Sequence, residues 1–238
     1  MGDQDEMSSG WASSTLKWWS DAGVDVIVGE TAHDWLAPVP RSAAEVPAPT
    51  TSSTPPLPTT LADFQAWLVG EVELPGAAPS APRLGPSGNP ESAVMVLTDA
   101  PTLEDFTGSR LVSSDGLFDR MLAAIGLSRE TIYLASLSPF RPPSGNLAPA
   151  SLDRFAEVAR HHIALVRPRA LLLLGDICSR ALTGATVNQA RAKWHEIETN
   201  GGRFRALVTL KPEQLLKQPN LKNLAWADLQ MLKKGIEE

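Results

Sequence analysis

Lys211 stands at the end of the apolar run "RALVTL" (205–210) and is followed at once by Pro212 and a helical "EQLL". In an alternating α/β chain a side chain at a strand end points into a crevice rather than into the core. A lysine there has three uses: a solvated or phosphate-contacting cation, a charged donor to an oxygen that gathers charge, or a desolvated amine nucleophile. Three further apolar runs end in "TDAPTLED", with Asp99, in "SPFRPPSGN", with Arg141, and in "GDICSR", with Asp176. Each fragment taken alone is ordinary turn and cap chemistry, so their order along the chain carries the weight. His161 and His162 fall in a helical segment and His195 follows Trp194; none has a second ligand at metal spacing, and no metal site is expected. The single cysteine, Cys178, excludes an intrachain disulfide and any cluster or zinc site built on several thiolates. Its apolar neighbours predict inert burial.

The elements that must position these residues alternate. "AVMVLT" (93–98), "TIYLASL" (131–137), "ALLLLG" (170–175) and "RALVTL" are too short for stable helices and suit buried strands. Between them lie "LFDRMLAAIGL", "SLDRFAEVARHHIALV" and "DICSRALTG", with "NLAWADLQMLKKG" near the end. Ser151 and Asp176 read as helix caps, Gly126 and Gly184 as stops. Strands separated by helices need crossover connections, which predicts an α/β fold of three layers, αβα, with a central four-stranded parallel sheet. The crevice then collects residues just after Thr98, Leu137, Gly175 and Leu210.

Composition bounds the remainder. The 238 residues allow one full core plus an appendage, and 43% hydrophobic with 20% charged residues is ordinary for a globular protein. No apolar run reaches the roughly 20 residues that span a bilayer, and "MGDQDEMSSG" lacks the pattern of a secretory signal, so the expectation is a cytoplasmic protein with no membrane partner. The net charge of −6 is uneven: residues 1–58 hold 2 Lys+Arg against 8 Asp+Glu, and the chain from Thr59 holds 19 of each. A neutral body with local arginine clusters remains compatible with phosphate backbones. Residues 37–60, with seven prolines, predict an extended linker. Residues 1–36 form a short segment whose Trp18, Trp19 and Trp35 suggest docking, either on the protein's own 61–238 domain or on a partner protein.

An ordered set of stretches resembles the uracil-DNA glycosylase superfamily, most closely the bacterial family 4 enzymes. It includes "WWSDAGVDVIVGET", "LADFQAWL", "GNPESAVMV", "DGLFDRMLAAIGLSRETIYL", "FRPPSGN", "RHHIALVRPRALLLLG", "KWHE" and "KPEQLLKQPNLKNLAWADLQMLK". The resemblance implies a uracil-DNA glycosylase-like domain, a monomer, and DNA as the partner. It also shows departures at the site. Where the family has Gly-Glu-Ala-Pro-Gly, this chain has "TDAPT": Asp99 at the acidic position, followed by Ala100 and Pro101, with Thr98 and Thr102 for the glycines. Leu111 falls where a base-stacking ring is expected, Ser136 where an asparagine amide reads uracil, and Lys211 replaces the histidine of a His-Pro pair. The resemblance thus implies a base pocket of Ala100, Pro101, Leu111 and Ser136, with Asp99 and Lys211 in the catalytic positions. Arg141, Arg191 and Lys193 are the candidate DNA-backbone contacts, joined by Arg203 and Arg205, unless these form only a solvated basic hairpin.

Family 4 enzymes carry an iron–sulfur cluster on four cysteines. Two of those positions correspond to Phe140 and Phe155, and "EVELPGAAPSAPRL" has no counterpart of the other pair, so no cofactor is expected. Two readings follow. One is a non-catalytic relative that binds DNA or a repair partner. The other is an active glycosylase for uracil or another deaminated base, with Asp99 steering water or stabilising the sugar cation and Lys211 the departing anion.

Overall fold

In the computed structural model, residues 17–19, 21, 56–70, 74–78, 80–145 and 147–237 are described. They fall in two units, 1–54 and 55–238. Of the first, Lys17–Trp19 and Asp21 are helical; the docking expected of residues 1–36, Trp35 included, and most of the 37–60 linker lie outside the described residues. The end of that linker belongs to the second unit, where Leu57 packs against the small cluster of Phe64, Leu68 and Val158.

Short apolar runs become the centre of a sheet because no water is left to meet their backbone except through pairing. Strands β2 (Val94–Thr98) and β4 (Ala170–Leu174) are buried at every position. They pair in parallel with each other and with β3 (Tyr133–Ser136) and β6 (Gly202–Thr209). One register row runs Leu134, Val96, Leu172, Leu207 across all four. The four-stranded parallel core matches the expectation, and the sheet extends it with an antiparallel strand at each edge. The two-residue β1 (Ser87–Gly88) pairs with β3, and β5 (Trp194–Thr199) forms a hairpin with β6, giving the order β1-β3-β2-β4-β6-β5. The hairpin closes through Gly202, at φ +124°, and the Thr199 hydroxyl, which donates to the Gly202 carbonyl at 3.0 Å.

Helices cover both faces. They are α1 (Leu61–Val69), α2 (Leu103–Thr107), α3 (Leu117–Ala124), α4 (Leu152–Val166), α5 (Asp176–Thr183), α6 (Val187–Ala190), α7 (Pro212–Lys217) and α8 (Lys222–Glu237). Gly126 and Gly184 take left-handed φ of +81° and +73° just past α3 and α5, as stop residues should. The expected cap Asp176 instead opens α5 from its first position, after Gly175, and its carboxylate accepts from Val187 N and Arg180 Nε. Among the described residues no helix is long and apolar enough to cross a membrane.

One polar chain runs through the interior. Gln65 Nε2 of α1 donates to Tyr133 Oη at 2.9 Å, and Tyr133 Oη meets His162 Nε2 of α4 at 2.8 Å. The set balances when the phenol proton goes to an unprotonated Nε2, and burial favours that state by holding the His162 imidazole at about 3, with His161 adding repulsion. Burial likewise lifts the Tyr133 phenol to about 12. Because the folded pKa of His162 lies below its unfolded value near 6.5, its contribution to stability is complete above about pH 6.5 and is lost as pH falls towards 3. His162→Gln retains an acceptor and removes the titration. Between pH 7 and pH 5 the wild type should therefore lose about 2 kcal/mol more stability than this variant in urea titrations.

Candidate functional site

The parallel register brings four strand ends to one edge. Beyond it, Leu137 N donates to Thr98 O at 2.7 Å, Ser138 N to Asp99 O at 2.9 Å, and Gly175 N to Thr209 O at 3.0 Å. Thr98 is in register with Ser136, which is half-buried. Asp99 follows, only 5% exposed, with Ala100 half-buried and Pro101 buried beside it in the chain.

Lys211 leaves the end of β6 and reaches past the end of β4. Its Nζ lies 2.8 Å from Asp99 Oδ2, while Asp99 Oδ1 accepts from Cys178 N, in the first turn of α5, at 2.8 Å. Both carboxylate oxygens are therefore engaged, one by an ammonium and one by a helix N-terminal amide. The route of Lys211 depends on Gly175. A Cβ there would lie 2.8 Å from Lys211 Cγ and 2.9 Å from Cε, and the φ of +95° is one that side-chain-bearing residues rarely adopt. Burial opposes the lysine's charge, but Asp99 and then Glu213 outweigh it, and its pKa rises. Lys211 is accordingly held as an ammonium, unsuited to act as an amine nucleophile. The Cys178 thiol is fully buried and pushed up by desolvation and by Asp99, so it stays protonated.

The segment after Asp99 is fixed by structural bonds that the sequence reading missed. Thr102, where the resemblance implies a glycine, caps α2 in a reciprocal box: Asp105 N donates to its Oγ1 at 3.2 Å, and Thr102 N to Asp105 Oδ2 at 2.8 Å. Asp105 Oδ1 also accepts from Ser113 N at 2.7 Å, which ties down the following loop. The Thr-x-x-Asp spacing was the available signal. Leu111 is 1% exposed, so it is core rather than a face offered to a ligand. Its carbonyl and that of Val112, at φ +55°, each accept from Arg129 at 2.7 Å. Arg129 also pairs with Asp119 and lies over the Phe118 ring.

The three expected backbone contacts separate. Arg191 is taken by the protein itself: its guanidinium donates to both oxygens of the fully buried Asp228, at 3.0 and 3.2 Å, and to Leu224 O at 2.7 Å. Asp228 accepts in addition from Thr209 Oγ1, which anchors the end of β6 just before Lys211. Lys193 is exposed and Arg141 half-buried over the Gly145 turn, so these two cations remain reachable. In the hairpin, Arg203 pairs with Glu196 and Glu198, and Arg205 lies 4.5 Å over the Trp194 ring.

Residues 86–230 match the family model of the uracil DNA glycosylase superfamily, and the chain belongs to that superfamily. It is similar to the type-4 uracil-DNA glycosylase of Archaeoglobus fulgidus, with 25% identity over 144 residues, covering 57% of this chain and 72% of the relative. The iron–sulfur cluster implied by the family 4 resemblance does not fit the residues present. Phe140 and Phe155, at two of the expected ligand positions, are fully buried with ring centroids 6.2 Å apart. Arg83 lies over the Phe140 ring and bridges that residue's backbone. The lone cysteine is the one beside Asp99.

Two stability measurements follow. Phe155→Ala should cost about 3–5 kcal/mol in urea unfolding, as deletion of a core aromatic does. Gly175→Ala should cost about 2–4 kcal/mol from backbone strain and collision with the lysine stem. Lys211→Ala should relieve part of that cost, so the double-mutant cycle should be non-additive.

Proposed function

We propose that this protein is a superfamily member that no longer excises bases and uses the retained framework to bind DNA in repair, or a protein partner there. The observation that carries the reading is the closed Lys211–Asp99–Cys178 set: a carboxylate with both oxygens engaged is poorly placed to steer a water. The inward Leu111 and the short Ser136 hydroxyl add to it, since a flipped base needs a stacking face and an edge reader together. Arg141 and Lys193 supply cations for the phosphates.

The alternative, an active glycosylase for uracil or another deaminated base, draws on one feature. The Lys211 side chain is 25% exposed, so its ammonium is within reach of a ligand and could stabilise a departing base anion.

Incubation with oligonucleotides containing uracil, hypoxanthine or xanthine separates the two. The expected result is no alkali-labile site in any of them, together with DNA retention that weakens with salt and drops several-fold in Arg141→Ala and Lys193→Ala. Excision that disappears in both Lys211→Ala and Asp99→Asn would establish the enzyme instead. Absence of binding to single- and double-stranded DNA alike would leave the protein-partner role.

A further inference from the structure

A groove of about 180 Å³ lies between α3 and α8, and neither Asp99 nor Lys211 is among its lining residues. Leu117 and Met121 of α3 form one side, Leu229 and Ala225 of α8 the other, and Leu215 of α7 contributes to the floor. Two cations, Arg120 and Lys222, also line it, and no carboxylate does. Neither cation has an ion-pair partner among the described residues, although the chain as a whole carries a net charge of −6. Trp226, one turn beyond Lys222, is 42% exposed. Lys233, eleven residues on from Lys222, returns to the same exposed stripe of α8 and extends the positive rim.

We propose that this groove docks a short acidic segment of a partner protein that carries one bulky apolar side chain. The volume matches one such anchor, the lining around it is almost wholly hydrocarbon, and an exposed tryptophan beside an apolar hollow is the usual composition of an interface centre. Unpaired cations on both helices select acidic flanks and oppose basic ones. Nucleic acid fits less well, because the hollow offers a base almost no polar group for its edge. A helix or turn laid between α3 and α8 would present its anchor at i and its carboxylates at neighbouring turns. This surface does not involve the Asp99 set, so the inference stands whichever way base excision is decided.

The full chain is titrated with a fluorescein-labelled helical peptide that bears glutamates around a Leu-Phe pair, and anisotropy is read. Controls are the same peptide with lysines for glutamates, the same with alanines for the anchors, and labelled oligo-dT. Binding on the order of 10–100 μM that weakens with salt is expected for the first peptide alone. It should fall at least about tenfold in Trp226→Ala and in the Arg120→Glu/Lys222→Glu double variant. It should be unchanged in Arg154→Ala, a cation of α4 that does not line the groove. The two charge reversals sit on the surface, so an unaltered thermal unfolding curve shows that their loss of binding is local. Equal binding of the lysine peptide, no binding of the acidic one, or displacement of it by oligo-dT would each overturn the proposal.

Discussion

A carboxylate buried at a strand end has to be met by donors, and in this protein everything at the carboxyl edge of the sheet is arranged around meeting one. Asp99 receives an ammonium from Lys211, just after β6, and an amide from the first turn of α5, which continues the chain from β4. Removing either partner would strand a charge away from water, a far larger penalty than the pair's net contribution. The constraint reaches into the backbone, since the lysine stem can cross only where residue 175 has no Cβ. It reaches further through Thr209, whose hydroxyl binds the buried Asp228 that also holds Arg191, so the strand end delivering Lys211 is itself fixed.

A second constraint lies beside the sheet. Where the family 4 resemblance puts thiolates, two phenylalanines face each other, and a strand-like bridge from Arg83 closes over one of them. Apolar burial is non-directional and needs no loaded cofactor, so packing here can replace what metal ligation would otherwise supply to the fold. The chain keeps the scaffold of its superfamily, with apolar packing at Phe140 and Phe155 and an ion pair between Asp99 and Lys211.

The four central strands were readable because complete burial leaves a run of apolar residues that no other short element produces. β1 was not readable: a Ser-Gly pair carries no hydrophobic signal, and its pairing is dictated by the neighbouring strand. The edge hairpin was legible only as the alternative of a solvated basic hairpin, since one of the six residues of β5 is buried. At the site, the positions of Asp99 and Lys211 could be placed at strand ends from the order of the motifs, but their mutual contact could not, because it depends on what a glycine on a third strand lacks. The internal engagement of Arg191 was hidden for a related reason. Its neighbourhood in the chain looked like a phosphate rim, whereas its partner lies 37 residues downstream on α8. Leu111 was placed by likeness to a ring position, whereas its apolar side chain packs in the core.

The lysine stem sets the reach required at position 211. A histidine there would be shorter than the stem that bridges to Asp99, and the aspartate would be left facing one donor, the Cys178 amide. A different donor at that corner therefore needs a matching change at position 99, which makes the two positions mutually dependent.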